Sequence, residues 1–594
     1  MARAQIEALR KAMREAGVSV CLVPTADAHE SEYPAEYFEA RKYLSGFTGS
    51  AGILAVTEDW AGLFTDGRYF LQAERQLAGS GITLYKTGEE GVPSVEEELS
   101  VRFPEGGVLA FDGTTVNRRF GELLGKLAKE RNGSVLLADL PGRIWKKRPP
   151  LKMAAVFPLK LCYAGESRRE KFSRVRQQMG QKHTDLHVVT TLDDIAWLMN
   201  LRGRDIACNP VFLSYLVLSM ERAWLFAGEE ALSEAVKREL SEDLVTVRPY
   251  GAFFGELPAL CQGKTVLADS RKVSEQVWEG LSRAKTIVDS PNPSIAMKAV
   301  KNPTEEENFR KAHRKDGVAV TKFLYWLKKN IGRTPITEGQ AAAYLETCRR
   351  KQKNYLGPSF PTIAAYGANG AQVHYQPEGE GALLSPEGFL LVDSGGHYLE
   401  GTTDITRTVA LGPLTKGQKR HFTAVLKGML ALGDAKFPQG LRGSGLDCLA
   451  RGPLWAMGLD YLHGTGHGVG YLLNVHEGPN GFRWRQPPEG AETAILAPGM
   501  ITSDEPGFYL EGEYGIRTEN LLLCRKGEKN RYGQFLEFEH LTLAPIDLEA
   551  VDWEEMDGRD VQRLNVYHRQ VRSALAPHLE GDELQWFLDA TETV

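Results

Sequence analysis

Apolar residues recur at helical spacing over the first seventeen positions, where Ile6, Leu9 and Met13 are interleaved with Arg3, Glu7, Arg10, Lys11 and Glu15. That pattern predicts an amphipathic helix. A β-rich stretch at 18–23 comes next and predicts a strand. The same order, helix then strand, returns at 172–180 and 186–190, and the text of 56–64 aligns with that of 218–226 as two strands about a turn. Each copy is expected to be an α/β domain around a mixed sheet. Two joints divide the chain. One, at 138–152, carries Pro141-Gly142 and then Lys146-Lys147-Arg148-Pro149-Pro150, which neither a helix nor a central strand tolerates. The other, at 289–303, carries Pro291, Pro293 and Pro303 and opens onto a helical pattern through Phe309, His313, Val318, Val320, Phe323, Leu324 and Trp326. The expected domains are 1–150, 151–300 and 301–594, the last ending in a helical extension from about 545 through Val561, Leu564, Val571, Leu575 and Leu579 to Trp586-Phe587.

The third segment is richest in strand and turn signals. Leu390-Leu391-Val392-Asp393 predicts a strand ending in a carboxylate; a turn at 398–401 then returns the chain through Thr402-Thr403-Asp404-Ile405-Thr406. Residues on opposing antiparallel strands lie about 5 Å apart, so Asp393 and Asp404 can converge. Two such carboxylates either share a proton or hold a cation between them. A second hairpin repeats the turn text (Tyr398-Leu399-Glu400-Gly401 against Tyr509-Leu510-Glu511-Gly512) and has acids before and after it, at Glu505 and Glu519. This suggests an internally duplicated domain about a pseudo-two-fold axis. The tip acids Glu400 and Glu511 are expected to be solvated turn residues.

Between the hairpins runs His463-Gly464-Thr465-Gly466-His467-Gly468-Val469-Gly470, then Asn474-Val475-His476-Glu477-Gly478-Pro479. Glycine at every second position makes a helix costly, by about 1 kcal/mol each relative to alanine. This is therefore not the helical zinc motif, and no strand-to-helix step supports dinucleotide binding. Four carboxylates, one imidazole, two divalent ions and a bridging hydroxide sum close to neutral. Hard oxygen ligands with one imidazole favour Mn²⁺ or Co²⁺, and Zn²⁺ or Fe²⁺ also fit. Two such ions lower the pKa of a bound water and polarise a carbonyl, which is the chemistry of a hydrolase. Taken singly, a strand-ending Asp is a turn-former and a glycine-flanked His is structural; only the joint pattern is specific.

Composition narrows the classes further. The 594 residues exceed one core at roughly 150 residues per domain. A net charge of −6 lacks the basic excess of a nucleic-acid binder. With 42% apolar and 25% charged residues, the chain has the material for packed cores. Seven cysteines without a CxxC pair point to reduced thiols and a cytoplasmic setting. No run reaches 18 consecutive apolar residues, so no membrane span is expected.

Asp393, Asp404, His467, Glu505 and Glu519 resemble the five metal ligands of the pita-bread metallopeptidases, a group that includes methionine aminopeptidase, prolidase and aminopeptidase P. The surrounding text is similar to that of the cytoplasmic three-domain Xaa-Pro aminopeptidases. The likeness lies in Phe360-Pro361-Thr362-Ile363, Val373-His374-Tyr375 and the glycine–histidine run, and in Thr65-Asp66-Gly67-Arg68-Tyr69 and Arg202-Gly203-Arg204-Asp205 of the earlier segments. The resemblance implies two creatinase-like N-terminal α/β domains and a pita-bread catalytic domain, and two divalent ions, Mn²⁺ first. It also implies a homodimer that removes the N-terminal residue from peptides with proline second. It gives His374 and His476 contacts to substrate and to the tetrahedral intermediate, and it puts His463 in the cleft and His467 among the groups near substrate. Glu505 is the expected proton acceptor, Arg517 the arginine near the last Glu, and Arg68 a substrate-contacting arginine of the N-terminal domain. Prolidase activity on Xaa-Pro dipeptides is the alternative within the fold. A creatinase-like hydrolase without the metal ligands and a pita-bread binding protein that has lost them are the others.

Overall fold

The computed structural model describes residues 2–377, 379–485 and 494–594. The chain forms two compact units: residues 1–159 with 166–295, and residues 160–165 with 296–594.

The first unit contains two six-stranded mixed sheets. One runs in the order Thr83–Lys86, Ala61–Thr65, Ile53–Val56, Val20–Pro24, Val108–Phe111, Ser134–Leu137, and the other in the order Val245–Pro249, Ala223–Ala227, Ser214–Ser219, Leu186–Val189, Thr265–Ala268, Thr286–Asp289. Strand senses agree position by position, antiparallel among the inner hairpin strands and parallel outside them. The aligned texts occupy equivalent hairpins, with Val56 opposite Ala61 and Leu218 opposite Ala223. The central strand Val20–Pro24 is apolar throughout because helices cover both of its faces. The opening helix, Ala2–Glu15, buries Ile6, Leu9 and Met13 as its periodicity predicts.

The second unit opens with the long helix Pro303–Asn330, which starts where Asn302 and Glu305 form a capping box and Pro303 takes the first turn. Two antiparallel sheets come after it. Phe389–Ser394 lies between Ile363–Tyr366 and Ile405–Ala410, and the other sheet runs Lys436–Pro438, Gly533–His540, Asn520–Asn530, Ile501–Asp504. Each contains one of the expected hairpins, and each is interrupted by a smaller excursion, 396–402 in one and 507–517 in the other. The terminal helices Gly558–Leu575 and Gly581–Ala590 bury Leu564, Val571, Leu575 and Phe587 in the core of this unit. Among the described residues no helix is long and apolar enough to cross a membrane. None of the seven cysteines forms a disulfide.

One turn residue departs from expectation. Glu400 is only 7% exposed, with Lys315 Nζ at 2.8 Å and Asn354 Nδ2 at 2.7 Å. The long helix brings Lys315 over the hairpin tip, so the acid is paired rather than solvated. Glu511, at the equivalent tip, is exposed as expected.

Candidate metal centre

Strand register determines which acids meet. Asp393 pairs with Thr406 across the first ladder. Because side chains alternate faces, Thr406 and Asp404 lie on one face and Asp393 points to that same face. In the second hairpin the last pair is Asp504 with Asn520, so Glu505 and Glu519 fall opposite each other one step beyond it. Thr406 joins the halves: its Oγ1 donates to Glu519 Oε2 at 2.8 Å and its carbonyl accepts from the Glu519 N–H at 3.1 Å.

The glycine–histidine run supplies the imidazole. It is extended, with the short strand Gly466–His467 paired to Gly481–Phe482. A Cβ on Gly466 would lie 1.8 Å from the Ser503 carbonyl oxygen, and one on Gly468 would lie 2.1 Å from that of Glu477. Glycine there lets His467 approach the second hairpin. His467 Nδ1 lies 3.0 Å from the Gly468 carbonyl, which places the proton on Nδ1 and leaves Nε2 as an acceptor. Nε2 is 3.5 Å from Asp404 Oδ2 and 3.4 Å from Glu505 Oε1. Ligand atoms of Asp404, His467 and Glu519 lie within 4.8 Å of one another.

Electrostatics sharpen the picture. Burial, then repulsion from Asp393 and Glu505, holds Asp404 well above the usual carboxylate range. Burial, then Asp404, Glu505 and Asp393, does the same to Glu519. Burial pushes Glu505 up to about 7, with Arg517 opposing. Asp393 Oδ1 and Glu519 Oε1 are buried without a hydrogen-bond donor among the described residues. Converging lone pairs with raised proton affinity and orphaned oxygens form the donor set of a hard divalent cation. The residues therefore fit the expected ions.

Arg517 is 1% exposed. Its Nη2 donates to Asp393 Oδ2 at 2.6 Å and its Nη1 to Tyr509 OH at 2.7 Å. It therefore holds the first acid directly, and it reaches the last, Glu519, only through Thr406 Oγ1 at 3.3 Å. His463 donates from Nδ1 to the Gly464 carbonyl and accepts from Tyr509 OH at Nε2, both at 2.8 Å. Burial, with Arg517 next, lowers its pKa to about 3, so it is neutral and acts as a fixed acceptor. His476 packs edge-on to His467, ring centroids 4.3 Å apart. His374 is half-buried beside Val373, whose carbonyl accepts from Arg517 at 3.3 Å. Arg68, in the first unit, makes a bidentate pair with Asp66 at 2.9 and 2.8 Å.

Sequence reasoning missed the hydroxyls. Tyr509 links His463 to Arg517, Thr406 supports Glu519, and Ser503 Oγ accepts from the His467 N–H at 3.0 Å and donates to Glu505 Oε1 at 3.2 Å. Tyr509 had a usable signal, since it lies in the repeated turn text.

The model of metallopeptidase family M24 matches residues 307–526, and that of its C-terminal region matches 534–594. Two creatinase/prolidase N-terminal domain models match 5–148 and 147–305. The curated proteins named "Probable Xaa-Pro aminopeptidase P" of Sordaria macrospora and Paracoccidioides brasiliensis are 38% and 39% identical, over 99% of this chain and 98% of each relative. Among solved structures, the X-prolyl aminopeptidase of Caenorhabditis elegans, described as a cytosolic enzyme with a di-nuclear active site, superimposes over 100% of both chains. Its TM-score is 0.95 and its identity 34%.

Proposed function

The chain belongs to metallopeptidase family M24, and on that premise we propose that it is a metal-dependent aminopeptidase hydrolysing the Xaa-Pro bond at the N-terminus of peptides. The observation that carries this reading is the convergence of buried carboxylates and one imidazole in the second unit. Asp393, Asp404, His467, Glu505 and Glu519 would hold two divalent ions, Mn²⁺ by preference for an oxygen-rich set with one imidazole. Bound there, the ions would acidify a water and polarise the scissile carbonyl.

The protein's own groups do the rest. Glu505 takes the proton released by the attacking water, and the prolyl nitrogen must gain a proton to leave. Because an X–Pro amide has no N–H, recognition has to come from the carbonyls and the ring. His374 and His476 donate to substrate oxygens, His476 to the one that develops negative charge. His463, held neutral, and Arg517 keep the acids and Tyr509 in place. Arg68 contributes a substrate contact from the N-terminal part. The oligopeptide reading is preferred to prolidase because relatives bearing the aminopeptidase name run the full length of this chain. A division at about 150 and 300, with the helical extension from 545, is supported by the two like sheets and the proline-bearing joints. A cytoplasmic homodimer accords with cysteines that form no disulfide and with the cytosolic relative.

The test is metal content and activity on an Arg-Pro-Pro-type peptide and on a Xaa-Pro dipeptide, before and after chelation. Activity should require about two ions per chain and favour the longer peptide. Asp404→Asn should lose both metal and activity; a variant that kept both in full would refute the assignment.

A further inference from the structure

A cavity of the first unit lined by aromatic residues lies far in sequence from every acid of the metal centre and has no part in the proposed reaction. It encloses about 370 Å³, the lower end of the range for small-molecule sites. Asp112 and Asp139 enter it just beyond the carboxyl ends of the parallel strands Val108–Phe111 and Ser134–Leu137, where open α/β sheets place their ligands. Facing residues are aromatic: Tyr37, Tyr215, Tyr250 and Phe254. Tyr215 and Tyr250 are stacked at 5.1 Å, and Phe254 meets Tyr215 edge-on at 5.7 Å.

The charges in this wall do not balance. Asp139 is paired with Arg148, whose guanidinium also sits 3.8 Å over the Tyr37 ring. Asp112 has no such partner: its Oδ1 accepts from the N–H and the hydroxyl of Thr114, at 2.9 and 2.8 Å, and among the described residues no Lys or Arg pairs with it. Behind the cavity, Asp27 is 1% exposed, and its Oδ2 has no hydrogen-bond partner among the described residues. The His29 ring does not bond to it: its nitrogens are engaged by the Thr190 carbonyl at 2.8 Å and Tyr250 OH at 2.9 Å, and burial lowers the imidazole pKa with Asp27 opposing. Asp112, its pKa raised by burial with Arg148 opposing, and Asp27, whose Oδ1 accepts from the His29 and Ser31 N–H groups, give the aromatic-lined cavity a negative wall. A buried anion without a counterion is costly, and ring faces attract soft, weakly hydrated cations.

From this we infer that the cavity between Asp112 and the Tyr37–Tyr215–Tyr250–Phe254 wall binds a compact organic cation of the methylated-ammonium class. An inorganic cation would leave the rings without a role, and a neutral apolar ligand would leave Asp112 without a partner. The aromatic wall and the acid together call for a ligand that is both charged and hydrocarbon-coated.

The test uses the full-length, metal-loaded protein and calorimetric titration with choline and with its uncharged isostere, 3,3-dimethylbutan-1-ol. Choline should bind once per chain, the isostere roughly ten-fold more weakly or worse. Asp112→Asn, which keeps the Thr114 contacts, should weaken choline by roughly ten-fold, and Phe254→Leu by a few-fold. Both variants should keep wild-type peptidase activity, and saturating peptide substrate should not displace choline. Equal affinity for choline and the isostere, choline binding unchanged in Asp112→Asn, displacement by peptide substrate, or no choline binding tighter than about 10 mM would each overturn the inference. Because none of these readings depends on turnover, failure here is distinct from failure of the peptidase assignment.

Discussion

Replacing Tyr509 with phenylalanine removes one oxygen from the centre of a half-buried relay and leaves the ring that packs there. That oxygen accepts from Arg517 Nη1 at 2.7 Å and donates to His463 Nε2 at 2.8 Å, while the other end of the same guanidinium holds Asp393 at 2.6 Å. A hydrogen bond to a charged group contributes about 1.5–3 kcal/mol. If that energy keeps Arg517, and through it Asp393, in the productive orientation, its loss appears in the barrier as a fall in kcat of roughly 10- to 100-fold. No substrate contact is deleted, so KM should stay within about two-fold. The assay is steady-state kinetics on an N-terminal Xaa-Pro peptide at saturating metal, with metal content measured on the same sample to show that the ions are still bound. A merely structural tyrosine would lower the unfolding midpoint and leave kcat per folded, loaded chain unchanged. A Tyr509→Phe protein with kcat within about two-fold of wild type would refute the relay.

Two further expectations rest on buried charge. Lys301 Nζ meets Glu477 Oε1 at 2.7 Å, with both side chains 1% exposed, so Lys301→Met strands a buried carboxylate and should cost about 3–5 kcal/mol in denaturant unfolding. The double variant Lys301→Met with Glu477→Gln should recover much of it, and a single-variant loss below about 1 kcal/mol would show the pair to be solvated. Chelation gives the other. In the metal-free protein Asp404 and Glu519 lie well above the carboxylate range and Glu505 at about 7, burial being the largest cause for each. The folded state then binds more protons than the unfolded one, so this cluster's contribution is full below the unfolded pKa and is lost as pH rises through about 7. Thermal melts of chelated protein should accordingly weaken between pH 5 and 8 relative to the loaded enzyme, and a parallel profile for the two forms would contradict the clustering.

How legible each element is in the sequence depends on the range of the interactions that form it. The two N-terminal sheets can be expected because helix and strand periodicities are local, and because the 56–64 and 218–226 hairpins share a turn length and therefore a register. The acid pairs are legible for the same reason: an antiparallel return from Asp393 through a short excursion to Asp404 leaves few places for the second carboxylate to go. Glu400 escapes such reasoning because its partner, Lys315, arrives from a helix some eighty residues earlier, and no local rule foresees that packing.

The hydroxyls mark the sharper limit. Tyr509, Thr406 and Ser503 carry no charge and no metal-ligand spacing, and as turn or strand residues they are chemically ordinary in the text. Their importance comes from being the donors and acceptors that reach between hairpins once Thr406 of one stands against Glu519 of the other. A charged cage can be guessed from its charges, because like charges brought together require a counterion wherever they occur. The neutral groups that aim those charges are set by angstrom-level placement of two half-domains, so they emerge only when both strands are in position. The repeated turn text explains the exception: Tyr398 and Tyr509 occupy equivalent positions in the two excursions, yet Tyr398 OH donates to the structural acid Asp316 at 2.8 Å whereas Tyr509 serves the arginine of the site. The duplication therefore identifies a tyrosine in each half as a hydrogen-bonding post, and the charge each one meets decides which of the two belongs to the metal centre.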